Sequence, residues 1–374
     1  MFKIKWLKAD NIQTLIASWL CVLIGLLLGL VTLYLIRPKE AFEAFSIILK
    51  NFMIFSLPEM VVYYFGSTLV KAAPLIMCTL SVIFAYKAGL FNIGTSGQYT
   101  VGAGISLYLG IALKMPWYIC ILGAVIGGVL TGALIGVLKA YRNVNEVIAG
   151  IMFNWIALYG VNMLLLSVKE TSGTHTLYLP TNAVQALIPS CGLSLLFGSN
   201  EFVTLAVPTA FFFAVGVWFV MEKTRLGYEL RATGLNRNAA VYAGMNAAHN
   251  IVLTMAISGA LAALGACFLY LSGIEQWDCS QTTVPAMGFN GVAAAFLGAL
   301  HPLGAVISGF FIQHITSGGS YVDKMIYCSE VSDLITAIII YFCGFVFFFK
   351  DKLRELWQEY CSHKDTAVAK GGDR

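Results

Sequence analysis

Charged residues are scarce in this sequence. Asp, Glu, Lys and Arg make up 11% of the 374 residues, whereas they make up about a quarter of an ordinary soluble domain. A soluble fold of this length would need more charge on its surface, so the composition excludes a soluble enzyme, a disordered chain and a secreted disulfide scaffold. The net charge of +4 is too small to indicate a nucleic-acid-binding protein. Because 59% of the residues are hydrophobic, we expect a polytopic membrane protein.

Catalytic and metal-binding signatures are missing as well. The sequence has no G-x-x-x-x-G-K-[ST] loop to hold ATP, no CxxC pair among its nine cysteines, and no metal-ligand spacing among its five histidines. No Ser/His/Asp or G-x-S-x-G arrangement stands out. We therefore expect a chain that is not an enzyme and that holds no metal or cofactor of its own.

The cysteines divide by the hydropathy of their surroundings. Those within apolar stretches are expected to pack as small residues: Cys21, Cys78, Cys120, Cys267 and Cys343. Three others, Cys191, Cys279 and Cys328, fall in predicted outer loops, where one disulfide bond is possible.

The middles of the predicted spans also lack carboxylates, although the chain has 19 acidic residues. Glu59, Glu146 and Asp333 lie at the edges of apolar stretches. Ion-coupled carriers usually bind or relay the ion on a buried carboxylate. The pattern therefore disfavours an ion-coupled secondary transporter, which stays an alternative because backbone carbonyls can also hold Na⁺.

Long apolar stretches predict about ten transmembrane helices in an all-α fold, several of them short or interrupted by Gly and Pro. They lie at residues 15–36, 70–86, 98–113, 118–138, 147–168, 202–221, 251–271, 284–300, 303–316 and 333–349. Segment 42–65 is apolar but carries Glu43, Lys50, Pro58 and Glu59, so we interpret it as an interfacial segment.

The basic residues predict the orientation of these spans. With both termini in the cytoplasm, 16 of the 23 Lys and Arg residues lie on the inner side, as the positive-inside rule requires. The predicted organisation is a cytoplasmic segment at 1–14, a transmembrane domain at 15–349 and a cytoplasmic tail at 350–374.

A repeat divides the membrane domain. The heptapeptide Leu-Gly-Ala-Val-Ile-Gly-Gly at 122–128 recurs as Leu-Gly-Ala-Val-Ile-Ser-Gly at 303–309. Each copy follows a Gly- and Asn-containing cluster and a long apolar span. One copy runs inward and the other outward in the predicted topology, which indicates two inverted repeats, at about 68–140 and 249–349, around a central path.

Three polar segments interrupt the apolar pattern. Segment 89–98 is rich in Gly and carries two amides, so it is either the start of a half-helix facing a polar solute or a plain turn at the membrane surface. Asn145 resembles a helix cap with Glu146 in the first turn, and capping explains the pair as well as function does. Segment 222–250, with a capped short helix after Asn236, is either a docking surface or an ordinary charged loop.

At these segments the chain resembles the permease subunits of bacterial ATP-binding-cassette importers, within the branch of ribose-type and branched-chain amino acid-like permeases for nucleosides and simple sugars. The matching motifs are G-L-F-N-I-G-x-x-G-Q at 89–98, N-E-V-I at 145–148, R-A-x-G-L-N-x-x-A-A-x-Y-A-G at 231–244 and a G-F-x-G-I-A-like stretch at 288–293. They span about residues 68–349, nearly the whole membrane part.

The resemblance implies roles for two groups of residues. The substrate path is expected at Phe91, Asn92, Gly94, Gly97, Gln98, Asn145, Glu146, Asn154, Phe289 and Asn290. The ATPase-coupling loop is expected at Gly227, Glu229, Arg231, Gly234, Asn236, Tyr242 and Gly244. The nucleoside members often have Glu where this chain has Ser96, which leaves the identity of the solute open.

The resemblance also implies partners and a location. They are a cytoplasmic ATPase subunit that binds ATP and Mg²⁺, a second permease subunit in a heterodimer, an extracytoplasmic substrate-binding lipoprotein and membrane lipid, with no nucleic acid. The expected location is the bacterial cytoplasmic (inner) membrane. A purine nucleoside is the first candidate solute, and a simple sugar or riboflavin is the alternative.

Overall fold

The computed structural model describes residues 10–323, 327, 331–346, 348–352 and 354–355. Within these residues the fold is helical, with two isolated β-bridges and no extended strand. The helices are α1 (Asp10–Ile36), α2 (Ala41–Lys50), α3 (Pro58–Lys87), α4 (Thr95–Ile111), α5 (Trp117–Arg142), α6 (Glu146–Leu165), α7 (Leu179–Asn182), α8 (Leu193–Leu196), α9 (Ala206–Lys223), α10 (Arg225–Leu235), α11 (Arg237–Tyr242), α12 (Ala247–Tyr270), α13 (Ala286–Leu297), α14 (Gly304–Gly319) and α15 (Val331–Cys343). Short 3₁₀ turns follow α2, α6 and α7.

Each of the ten predicted apolar stretches contains a helix. Six of these helices, namely α1, α3, α5, α6, α9 and α12, are long and apolar enough to cross a bilayer. The other four are shorter, with 17 residues in α4, 12 in α13, 16 in α14 and 13 in α15 as described. The all-α polytopic architecture with short helices is therefore confirmed, while the inverted symmetry and the domain limits stay predictions.

Segment 42–65 does not form one interfacial element. Its first part forms the ten-residue α2 and a 3₁₀ turn, as an interfacial segment would. Pro58 then opens α3 at its first turn, where a proline costs no helical hydrogen bond, so residues 58–65 extend the following span to 30 residues. The expectation that the whole segment lies outside the spans is wrong for this second part.

Helices α3 and α12 form the centre of the bundle. In their most apolar windows 89% of α3 and 72% of α12 are buried, whereas α1 and α9 are each 28% buried. Helices α5 and α12 approach closely at Gly128 and Gly259. A Cβ on Gly128 would lie only 2.4 Å from Gly259 O, so a larger residue would not fit there. Small residues permit such backbone contacts in membranes, where helix association depends on close packing.

The bundle has two chemically different ends. At one, α10 lies beside Lys87, and Arg237 Nη2 donates to Ala140 O at 3.2 Å. At the other, Thr176 N donates to Trp277 O at 2.9 Å. We call these the α10 end and the Trp277 end.

Candidate functional site

The loop at 88–94 joins α3 to α4 inside the protein. Gly89 has a φ of 74°, a left-handed conformation that glycine adopts without strain. The side chain of Asn92 is fully buried, and its Nδ2 donates to Gln98 Oε1 at 2.8 Å and to Ser258 Oγ at 2.7 Å. Ser258 Oγ in turn donates to Ser81 O at 2.8 Å. The loop is thus connected to both central helices, α3 and α12.

Asn154 on α6 holds the other side of this loop. Its Oδ1 accepts from Gly97 N at 2.7 Å, and its Nδ2 donates to Ile93 O at 3.1 Å. A Cβ on Gly97 would lie 2.7 Å from Asn154 Oδ1, so only glycine leaves room for this contact. The structure therefore brings together Asn92, Gln98, Asn154 and the two glycines Gly94 and Gly97 in one buried amide cluster.

Three polar atoms of the amide cluster have no protein partner among the described residues. They are Asn92 Oδ1, Ser96 Oγ and Gln98 Nε2. Buried polar atoms are nearly always hydrogen-bonded, so each of these three atoms can still form a hydrogen bond with a group outside the described protein, such as water. The cluster therefore combines firm attachment to three helices with spare hydrogen-bonding capacity.

The second repeat contacts this cluster through α13. Gly288 lies against the first turn of α4, where a Cβ would come within 2.3 Å of Ser96 Oγ. The next two residues are less buried, since Phe289 is 43% exposed and Asn290 is half-buried. Both are thus less enclosed than the side chains of the amide cluster. Phe91, in the loop before α4, is half-buried, and the centre of its ring lies 6.4 Å from that of Phe296 on α13.

Asn145 and Glu146 lie away from the amide cluster. Asn145 caps α6 by accepting from Val147 N at 2.9 Å, and Glu146 forms an ion pair with Lys139 at 2.7 Å. The rise of a helix places them roughly 13 Å along α6 from Asn154, at the α10 end. The predicted cap is confirmed, and the place of both residues in a solute path stays a prediction.

The segment 222–250 folds into two short helices with three polar caps. Thr224 Oγ1 accepts from Gly227 N at 3.2 Å, and Asn236 and Asn246 each accept from the backbone N–H three residues on at 3.0 Å. Asn236 therefore opens α11 as the sequence predicts. Leu235 is 89% exposed and Tyr242 is 93% exposed, so the segment presents two large apolar side chains to the surroundings.

Ion pairs attach this segment to the bundle. Glu222 at the end of α9 accepts from Lys87 Nζ at 2.5 Å and from Arg231 Nη1 at 3.1 Å. Glu229 forms an i,i+4 pair with Arg225 at 2.8 Å. Because Glu222 lies between α3 and α10, this carboxylate fixes the position of α10 relative to the central helix.

His301 lies in the loop between α13 and α14, close to this ion-pair group. Partial burial, and after it the charge of Lys87, lowers the pKa of His301, although Glu222 opposes the shift. Leu303 N donates to His301 Nδ1 at 3.2 Å, which requires an unprotonated Nδ1. The fold therefore favours the neutral imidazole.

Two glycines join the segment to the amide-cluster loop. A Cβ on Gly234 would lie 2.4 Å from Ala88 C and 2.6 Å from Gly89 N, so the backbone of α10 touches that of the loop directly. Gly227 similarly packs on the end of α9, where a Cβ would lie 2.2 Å from Val220 O. Gly244, between α11 and α12, has a φ of 83°, a left-handed conformation that ends the helical path there, and a Cβ on it would meet no atom within 4 Å.

Several residues of the site were not expected from the sequence. In the sequence Ser258 is only a serine within an apolar span, and nothing near it indicates that it contacts Asn92. Asn162 lies eight residues after Asn154 on α6 and bonds the Trp277 end, where it accepts from Trp277 Nε1 at 2.9 Å and donates to Gln281 O at 2.9 Å.

The described cysteines and potential metal ligands form no further site. Cys191 and Cys279 are free thiols, and Cys328 lies outside the described residues. Within the described ranges no group of three His, Cys, Asp or Glu residues is placed to hold a metal ion.

The fold is that of a multi-pass helical membrane protein that has a buried amide cluster and a polar two-helix segment at one end. The chain belongs to the family described as branched-chain amino acid transport system / permease component, whose model matches residues 64–344.

Curated relatives agree with this family. The chain is 34% identical over 286 residues to the guanosine ABC transporter permease protein NupP of Bacillus subtilis (strain 168), covering 75% of this chain and 81% of the relative. It is 31% identical over 294 residues to the nucleoside ABC transporter permease protein NupB of Lactococcus lactis subsp. cremoris (strain MG1363), covering 75% and 79%. It is 30% identical over 330 residues to the glucose ABC transporter permease protein TsgB13 of Haloferax volcanii, covering 83% and 84%. No solved structure matches the chain significantly.

Proposed function

We propose that this chain is the membrane subunit of an ATP-binding-cassette importer that carries a nucleoside into the cytoplasm. The observation that carries the proposal is the two-sided geometry of α10 and α11. One side presents the exposed Leu235 and Tyr242, and the other side touches the loop of the amide cluster through Gly234. A segment of this kind can receive the motion of a separate ATPase and pass it to the spans.

The contacts suggest how that motion reaches the bundle. A shift of α10 acts on Ala88 and Gly89 by direct backbone contact and on α3 through Glu222 and Lys87. The amide cluster follows because Asn92 lies on the same loop. Its unpaired polar atoms can then exchange partners as the path opens to one side at a time.

A purine nucleoside is the preferred solute, with a simple sugar or riboflavin as the alternative. The names of NupP and NupB support the nucleoside, and the name of TsgB13 supports the sugar. The proposed assembly contains a second permease, an ATPase that binds ATP and Mg²⁺, and a substrate-binding lipoprotein, in the bacterial inner membrane with the α10 end in the cytoplasm.

Co-purification with the ATPase tests this assignment. The tagged chain, expressed with its partner subunits, is expected to retain an ATPase, and the double variant Leu235→Asp with Tyr242→Asp is expected to lose it. The matched control is Leu195→Asp, because Leu195 is 76% exposed but lies on α8. Retention of the ATPase by the double variant would contradict docking at this segment. A wild-type chain that imports solute without any ATPase would indicate a secondary carrier.

The solute is tested by uptake of labelled guanosine, glucose and riboflavin into proteoliposomes containing the whole assembly. Uptake of guanosine that depends on ATP supports the nucleoside. Uptake of glucose or riboflavin in its place would select the corresponding alternative.

A further inference from the structure

A membrane-facing groove separates α3, α9 and α12. This open groove has a volume of about 500 Å³, which lies within the range of ligand-binding pockets of roughly 300–1,000 Å³. Its lining is apolar except for Thr209, and it includes Phe84, Phe212, Gly216, Val220, Leu226 and Leu261. Gly216 leaves the floor open, because a Cβ there would meet no atom within 4 Å.

This groove opens toward the hydrocarbon layer. Phe212 on its rim is 68% exposed, and α9 is the least buried of the spans together with α1. An apolar opening at this depth disfavours water-soluble ligands, because Thr209 is the one polar side chain in its lining and cannot replace their hydration. A flexible hydrocarbon chain entering from the side meets these conditions.

The groove ends in positive charge. Its last lining residues, Val220 and Leu226, lie on either side of the junction between α9 and α10. Lys223 at this junction lies 5.9 Å above the ring of Trp218, and Arg225 is exposed over 92% of its side chain. Arg225 uses Nε for Glu229, which leaves the outer face of its guanidinium available. The first N–H groups of α10 add a partial positive charge at the same place.

We propose that this groove binds a phospholipid with an anionic headgroup, its acyl chain lying on Gly216 between Phe212 and Leu261 and its phosphate meeting Lys223 and Arg225. The match is between an amphipathic molecule with one negative end and a groove that is apolar along its length and basic at one end. The surface of a second permease helix would match the apolar lining but leave the basic end unexplained.

The site has a mechanical consequence that rests on the proposed function. Leu226 belongs both to the groove and to the first turn of α10, so a bound acyl chain supports the joint about which α10 would move. In the proposed orientation the headgroup lies in the cytoplasmic leaflet, whose anionic lipids carry the required charge.

Lipid analysis of the full chain purified in mild detergent tests the proposal. Titration with phosphatidylglycerol or phosphatidylcholine, followed by native mass spectrometry, is expected to show preferential retention of phosphatidylglycerol. Gly216→Trp fills the groove and is expected to abolish this retention. Gly160→Trp is the matched control, because Gly160 also faces open space but lies on α6.

The basic end is tested separately. The double variant Lys223→Gln with Arg225→Gln is expected to weaken binding of phosphatidylglycerol by about fivefold for each base removed, while binding of phosphatidylcholine changes little. Arg142→Gln is the control, since Arg142 is an exposed base at the end of α5.

Equal retention of phosphatidylglycerol by Gly216→Trp and the wild type would overturn the proposal. The proposal would also be overturned if Gly216→Trp separated two permease chains while the amount of bound lipid stayed the same, because the groove would then be a protein interface. The measurement needs neither solute nor ATPase, so a failed nucleoside assignment leaves its result intact.

Discussion

The amide cluster shows how a membrane protein can keep irregular backbone within its spans. The carbonyl of Ile93 and the N–H of Gly97 lie outside regular helix pairing, and both are satisfied by the one side chain of Asn154. In a low-dielectric interior such groups are costly without a partner. Asn154 therefore fixes the start of α4 rather than merely filling space.

Substitution of Asn154 by Leu tests this role. It leaves two buried backbone groups unpaired, so we expect a loss of about 1–3 kcal/mol for each group and a lower melting temperature of the purified protein. Asn238→Leu makes the same chemical change at an exposed position on α11 and should leave the melting temperature unchanged. Equal melting temperatures of Asn154→Leu and the wild type would show that Asn154 does not fix the start of α4.

At the scale of elements, the joint between α10 and the loop at 88–94 is the most consequential contact. Gly89 and Gly234 bring two backbones together with no side chain between them. A joint of this kind transmits displacement without the slack of a flexible side chain. In the proposed mechanism motion passes through this contact, and the Glu222 ion pairs attach α10 to α3 and α9.

A bulkier residue at this joint should separate ATP hydrolysis from transport. Gly234→Val forces the two backbones apart at a cost of about 1–3 kcal/mol. We expect solute uptake by the reconstituted assembly to fall about tenfold or more, with ATP hydrolysis largely retained. Gly160→Val is the matched control and should transport normally. Unchanged uptake by Gly234→Val would show that motion does not pass through this contact.

The sequence predicts some of these elements and not others, for a physical reason. Apolar length predicts the spans, and local side-chain chemistry predicts the caps at Asn145 and Asn236, because each depends on neighbouring residues. The contacts of Gly234 with Gly89 and of Asn92 with Ser258 depend on how distant helices pack. No local pattern encodes such packing, so the motifs indicate the segments but not the joint between them.

At the scale of the whole molecule, the described basic residues are distributed unevenly between the two ends. Three bases lie at the α10 end. Lys87 and Arg231 donate to Glu222, and Arg237 donates to a backbone carbonyl at the end of α5. Lys71 forms an ion pair with Glu275 in the segment that leads to Trp277. Basic residues concentrate on the cytoplasmic side of membrane proteins. The distribution therefore agrees with a cytoplasmic α10 end, which is also where an ATPase would have to dock.

Labelling with a membrane-impermeant maleimide tests this orientation directly. Cys191 is an exposed free thiol three residues after Ile188, whose N donates to Leu271 O at 2.9 Å at the end of α12 that leads to Trp277. One variant retains Cys191 with the other cysteines replaced by serine, and a second combines Cys191→Ser with Tyr242→Cys. We expect the first to be labelled in sealed right-side-out vesicles and the second in inside-out vesicles, because Tyr242 is 93% exposed at the α10 end. The reverse pattern would place α10 outside the cell, where no ATP-dependent partner could drive it.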